Sequence, residues 1–276
     1  MSDNKRKSGS EEHRSAPKEK KQRYGKAPAN SKSGLPKEGK GVLVTCDANW
    51  ERVAGQEAVD LLSDCWEKLN PQTASADRTA PASVALQAEL KEAEGQASRD
   101  SRFFWTKLDI QGLIFVKMKT EEGKPGPSKL VEHILREISE TKQMKSRHCI
   151  RLIPVEESCQ ASLEQIKELS KTMADSVFKG SEGLKFAVAF EKRGHSGECN
   201  DRMKVIDTVV GNIEQPPNKV DLTKPDKTVL VQIVKNSCGM SIVDNYHKLK
   251  KYNMRSASAP EEEGAADKAK EAAGGE

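Results

Sequence analysis

The sequence is poor in aromatic rings, paired cysteines and glycine-rich nucleotide motifs, and each shortage excludes a class of protein. Only 4% of the 276 residues are Phe, Trp or Tyr, with three Trp and three Tyr. A platform of successive stacked bases, as in single-strand binders, is therefore poorly supplied. No run of about 18 apolar residues occurs, so no segment reads as a membrane span. Neither G-x-G-x-x-G nor a P-loop is present, which leaves no glycine signature to hold a methyl donor, ATP or acetyl-CoA; no cofactor is expected. The six cysteines, at 46, 65, 149, 159, 199 and 238, form no C-x-x-C, and no His pair has zinc-finger spacing. A structural zinc site is not expected, and the thiols read as free, several of them in the core. The opening MSDNKRKSGSEEH lacks the apolar core of a secretory signal, so the nucleus, nucleolus or cytoplasm is the expected location.

Charge is present in quantity but unevenly placed. The net value is +4. Residues 1–40 carry 12 Lys/Arg against 5 Asp/Glu, residues 254–276 carry 3 against 6, and residues 41–253 balance at 31 each. The folded part therefore has no global field for a polyanion, and any grip must come from local clusters helped by the basic tail. Residues 1–40 and 256–276 hold too little apolar surface to offset ordering entropy and read as disordered tails. KRK (5–7) and KEKKQR (18–23) suit either a nuclear address or a solubilising tail.

Between the tails the periodicity gives a mixed α/β (α+β) pattern in two blocks. In the first, about 41–146, VLVTC (42–46) reads as a buried strand and Asn49 as a cap for a helix with apolar stripe Val53, Ala54, Ala58, Leu61, Leu62, Cys65 and Leu69. A loop at 70–81 and a short helix at 83–95 follow. FFWTKLDI (103–110) and LIFVKMK (113–119) form a hairpin about Gln111-Gly112, and 127–144 form a second helix. This order suits a ferredoxin-like unit. The second block, about 147–255, starts with the strand CIRLIPV (149–155). Then come a helix opened by Ser162-x-x-Gln165 in capping-box form, the strand LKFAVAFE (184–191), a helix capped by Asn200, and strands at 219–222, 228–236 and 239–244.

The loop after the strand at 184–191 carries the sharpest functional pattern. Lys185 lies at one rim, Lys192, Arg193 and His195 at the other, and Arg202 in the first turn of the next helix. Cations beside free helix amides make a phosphate seat, and Arg adds a bidentate fork; a solvated charged loop is the competing reading. Arg147, His148 and Arg151 suit RNA contact, although Arg151 could instead pair with Glu156. Lys235 and Asn236 end a strand and could point toward the same ligand or merely to solvent. His247, Lys248, Lys250, Lys251 and Arg255 could track backbone phosphates or simply favour a helix C-terminus. Cys159 precedes a helix, where a thiolate gains stability, but no positioned His accompanies it and core packing suits it better. Trp50, Trp66 and Trp105 are expected in the core, with Trp105 able to stack a base.

RLIPVEESCQASLEQI (151–166), FAVAFEKRGHS (186–196), RMKVIDTVV (202–210), KVDLTKPDKTVLVQI (219–233) and SIVDNYHKLKKYN (241–253) resemble, in order and spacing, the THUMP domain, an RNA-binding module of tRNA-modifying enzymes. VDL-x-x-P-D before an apolar strand is the most specific phrase; Lys224 stands where the family often has Asn. With the VLVTC start and the YHKLKKYN ending, the chain resembles the eukaryotic THUMP-domain adaptors of tRNA cytidine acetylation over about 41–255. The resemblance implies a non-catalytic protein that binds leucine and serine tRNAs, meets their 3′ acceptor end, and presents them to a separate RNA cytidine acetyltransferase for 4-acetylcytidine formation in the D-arm. The 21 residues after Arg255 offer no room for a catalytic domain, which agrees. A scaffold in ribosome or RNA maturation that touches no tRNA is the alternative.

Overall fold

The structure, a computed structural model, describes residues 34–37, 39–70 and 102–260. The segments 1–33 and 261–276, nearly all of the expected 70–81 loop and the expected helix at 83–95 lie outside these residues. Four antiparallel strands form the first sheet: β1 (Gly41–Cys46), β2 (Phe103–Lys107), β3 (Leu113–Met118) and β4 (Cys149–Val155), in the order β2-β3-β1-β4. With α1 (Glu51–Leu69) and α2 (Pro127–Thr141), this is the βαββαβ order of a ferredoxin-like unit. Its fourth strand is CIRLIPV, which the sequence reading assigned to the second block. Leu43 faces Ile153 and Val44 faces Leu152, so β4 completes the first sheet. Periodicity shows that a strand exists; its partner is set by long-range pairing that no local pattern reveals.

The second sheet has the order β5-β9-β8-β6-β7: β5 (Glu157–Gln160), β6 (Lys185–Arg193), β7 (Lys219–Val220), β8 (Lys227–Val234) and β9 (Ser237–Val243). Helices α3 (Leu163–Phe178) and α4 (Arg202–Val210) cover one face. The alternation of β8 explains the layering. Val229, Val231 and Ile233 join Ile166, Phe178 and Val205 in one core, while Leu230 and Val234 join Leu43, Ile153 and Tyr252 in the other. A strand buried on both faces reads as a nearly continuous apolar run, which TVLVQIV is. The two units therefore share the core on the far side of the second sheet.

The first and last described residues are tied down further than their composition suggests. Leu35 is buried and its amide donates to Ser237 Oγ at 2.7 Å, and the Gly39 amide donates to Ser158 Oγ at 2.8 Å. The expected tail up to residue 40 is thus ordered over its last residues. At the other end α5 (Met254–Ser258) buries Met254 and Ala257 against α2, so order passes the boundary expected at 255.

Two helix starts differ from expectation by one residue. Asn49 has φ +68°, and Trp50 occupies the N-cap position of α1 without a side-chain cap. Asn200 ends a 3₁₀ turn, and Asp201 caps α4 by accepting from the Met203 and Lys204 amides at 3.0 and 3.4 Å. Ser162 caps α3 as expected, but Gln165 reaches the Gln160 amide at 2.9 Å rather than that of Ser162. Gly55 is required where α1 crosses β2, because a Cβ there would lie 2.4 Å from the Trp105 ring.

Candidate nucleic-acid surface

The strand-to-loop segment 185–202 lies where the two units meet; Lys192, Arg193 and His195 are engaged within the protein, whereas Lys185 and Arg202 are exposed. Glu191 stands at the centre. It accepts from Arg151 Nη1 at 2.7 Å and from Arg193 Nη2 at 2.8 Å. Arg193 also donates to Gln232 Oε1 at 3.0 Å. Arg151 extends the network to Tyr246 Oη at 3.0 Å and to the Lys251 carbonyl at 3.2–3.3 Å. Burial pushes the Glu191 carboxyl up, but the two guanidinium groups outweigh it and hold the pKa below the ordinary carboxylate range. Arg151 thus pairs with Glu191, not with Glu156, whose carboxylate accepts from the Ser128 amide at the start of α2.

The rest of the loop is fastened in the same way. Lys192 Nζ donates to the Asn200 carbonyl at 2.9 Å and to its side chain. His195 Nδ1 donates to the Lys235 carbonyl at 2.6 Å, and its Nε2 is buried without a partner. Lys235 pairs with Asp109 of the β2–β3 hairpin. The expected anion seat at the next helix is occupied by the Asp201 carboxylate. The cations of this loop are held within the second unit, while the Arg151–Glu191 and Lys235–Asp109 ion pairs tie that unit to the first.

The remaining cations face water. Arg147, Arg202, Lys248 and Lys251 are exposed, and their side chains make no ion pair among the described residues; Lys185 holds Asp221 only loosely, at 3.5 Å. Lys248 lines a cavity of about 680 Å³ between the 223–226 and 244–248 turns, together with Lys224, Asp226, Tyr246 and His247. The acids beside it are already engaged: Asp226 accepts from the Lys185 amide at 2.9 Å, and Asp244 pairs with Lys227 at 2.8 Å. The ammonium groups of Lys224 and Lys248 make no ion pair among the described residues, and Asp226 beside them has no cationic partner among those residues either; Lys224 lies within the VDL-x-x-P-D phrase. From this cavity the chain runs as a strap to Arg255, exposing Lys248, Lys250 and Lys251 on the way. Lys250, Lys251 and Tyr252 all have φ near +55° (52°, 54° and 58°), with Tyr252 wholly buried. Arg255 then pairs with Asp47 at 2.6 Å and so has a partner in the first unit.

The thiols are poorly placed for nucleophilic work. Burial pushes Cys46 up to about 12 and Cys65, Cys149 and Cys199 up to about 11. Cys159 faces Cys238 across β5 and β9, and the Cys238 thiol lowers its pKa, but no imidazole contacts it among the described residues. The sulfur–imidazole contact that does exist joins Cys65 and His133 at 3.6 Å. Trp66 is in the core and Trp105 packs against it, whereas Trp50 stands 49% exposed against expectation. The reason is its N-cap position, which points outward from the first turn.

A profile of the THUMP domain matches residues 160–243, the span from the end of β5 through β9. THUMP domain-containing protein 1 of Bos taurus is 30% identical over 227 residues, 78% of this chain and 62% of that protein. Protein C25H2.10c of Schizosaccharomyces pombe is 31% identical over 230 residues, 81% of this chain and 77% of that protein. This chain belongs to the THUMP domain-containing protein family. The chain spans only 62–63% of the length of the bovine, mouse and human relatives. A further relative, named tRNA acetyltransferase TAN1 of Saccharomyces cerevisiae, is 27% identical over 242 residues, 78% of this chain and 83% of that protein. The family match covers the second sheet from the end of β5 through β9 and ends just before the strap.

Proposed function

We propose that this protein is a non-catalytic tRNA-binding adaptor that presents leucine and serine tRNAs to a separate RNA cytidine acetyltransferase, which forms 4-acetylcytidine in the D-arm. The THUMP match over 160–243 carries the reading. The name of the yeast relative supports tRNA acetylation as the process. The contact surface consists of Lys224, Lys248 and Lys251 at the cavity and strap, with Lys185, Arg147 and Arg202 as outlying phosphate contacts. Arg151 and Lys235 act behind this surface by tying the two units together, and Lys192, Arg193 and His195 by fastening the 192–202 loop within its own unit.

The mechanism is positional. Helical RNA is met through its phosphates and shape, as suits a chain with few exposed aromatic rings. Fixing the tRNA relative to the partner lowers the entropic cost of bringing one cytidine to a foreign active site. The partner supplies the acetyl-CoA and ATP chemistry. The nucleus, and the nucleolus within it, is the proposed site of action.

The test has two arms. Purified chain should bind tRNA with an affinity that falls with salt, and nucleoside analysis should find 4-acetylcytidine only when acetyltransferase, acetyl-CoA and ATP are added together. Acetylcytidine made by this chain alone, as the name of the yeast relative invites one to check, overturns the adaptor role. Failure to bind any tRNA favours the protein scaffold.

A further inference from the structure

We infer that Trp50 is a stacking seat for one unpaired base of the bound RNA, on the ferredoxin-like unit and apart from the cavity at Lys248. The inference rests on the tRNA-binding reading and adds a contact outside the THUMP module.

The indole of Trp50 lies flat on the imidazole of His148, with centroids 4.2 Å apart and planes 7° from parallel. His148 is only 8% exposed, so one face of the indole is sealed while the residue keeps 49% exposure. The frame beneath is fixed. The Trp50 amide donates to the Asp47 carbonyl at 3.2 Å and the Asp47 amide to the His148 carbonyl at 3.1 Å. Gln111 holds the Asn49 side chain at 3.1 Å, and Arg255 holds Asp47 at 2.6 Å. A ring held this way has little ordering entropy left to lose on binding.

Charge around the ring favours a nucleotide. Arg147, next to His148, and Arg52, two residues after Trp50, are exposed and make no ion pair among the described residues. The nearby acids are neutralised or tied: Asp47 by Arg255, Glu51 by Lys107, and Glu57 by Ser146 Oγ and the His148 amide. The exposed apolar neighbour is Val53, one turn on, at 41%. Two such side chains are far from the roughly 800 Å² per partner of a stable protein interface. The open face of a single indole accepts a base only if that base has left its own stack, so the ligand is an unpaired nucleotide. The strap links the two sites, because it runs from the cavity past Lys248, Lys250 and Lys251 to Arg255, beside Asp47.

The full chain and its Trp50→Ala, Trp50→Leu and Trp50→Phe variants are titrated with tRNA at several salt concentrations, with tryptophan fluorescence read alongside. Trp50→Ala and Trp50→Leu should bind about tenfold more weakly with an unchanged salt slope, since a stack is lost and no phosphate contact. Trp50→Phe should recover most of the affinity but lose the tRNA-induced quenching. Wild-type affinity in a normally folded Trp50→Ala variant overturns the inference, as does full rescue by Leu. Loss of acetyltransferase association with intact tRNA binding also overturns it, by making the patch a protein contact. Absence of binding by the wild-type chain sinks the adaptor reading as well, and is distinguishable from a defect confined to the variants.

Discussion

Replacing Arg151 with Ala separates an inter-unit clasp from an RNA contact. Arg151 donates to Glu191, Tyr246 and the Lys251 carbonyl, and its side chain is 19% exposed. Hydrogen bonds of charged groups contribute about 1.5–3 kcal/mol each, and breaking a buried pair costs about 3–5 kcal/mol. Here Glu191 keeps Arg193 at 2.8 Å and is itself 29% exposed, so it is not orphaned. The expected loss is therefore about 2–3 kcal/mol, below the buried-pair range. For a chain of this size that is a fall in Tm of roughly 4–12 °C at about 2–4 °C per kcal/mol. Urea unfolding gives the stability change directly, and a cycle with Glu191→Gln should show a coupling of about 1 kcal/mol or more between two residues in contact. The tRNA affinity of the folded variant should stay within about twofold, because no phosphate contact is removed. A variant as stable as wild type that no longer binds tRNA refutes this reasoning and returns Arg151 to the RNA surface.

Three further outcomes follow from the same geometry. Lys224→Glu and Lys248→Glu should each weaken tRNA binding and reduce the log–log salt slope by about 0.7–0.9 or more, without lowering the melting temperature; a slope unchanged in both removes the cavity from the site. Glu191 has a depressed pKa, so its contribution is present above the ordinary value of 4.5 and is lost as pH falls through the lower folded value. Stability measured by denaturant from neutral pH down through 4.5 should therefore drop less steeply in Glu191→Gln. Gly55→Ala should destabilise by about 1–3 kcal/mol through overpacking against Trp105, although Ala is the better helix former; a stabilised variant contradicts the packing described.

Much of the chain was legible in advance because it depends on local pattern. The stripe of α2, the β2–β3 hairpin and the alternation of β6 each follow from side-chain period alone. What the candidate site contributes was harder to read. A run such as EKRGHS announces charge, but the disposition of that charge depends on what lies across from it. Glu191 shares a strand face with Arg193, but Gln232 sits beside Arg193 only because β6 and β8 pair in parallel register, and Arg151 reaches Glu191 from a strand of the other sheet. No spacing rule encodes such a meeting. Trp50 was misplaced for a similar reason: a one-residue shift of the cap turned an expected core ring outward.

By itself the sequence determined most of the described strands and helices, though neither β5 nor α5, that the folded part carries no net charge, and that its THUMP phrases recur in family order. Side-chain period and turn chemistry act within a few residues, so these features are readable one segment at a time. Tertiary structure alone decided that CIRLIPV closes the first sheet, that Lys192, Arg193 and His195 are engaged internally, and that Lys224, Lys248 and Trp50 face water. Those outcomes depend on which distant groups become neighbours and on which charges find a partner before solvent does, and only the folded chain fixes both.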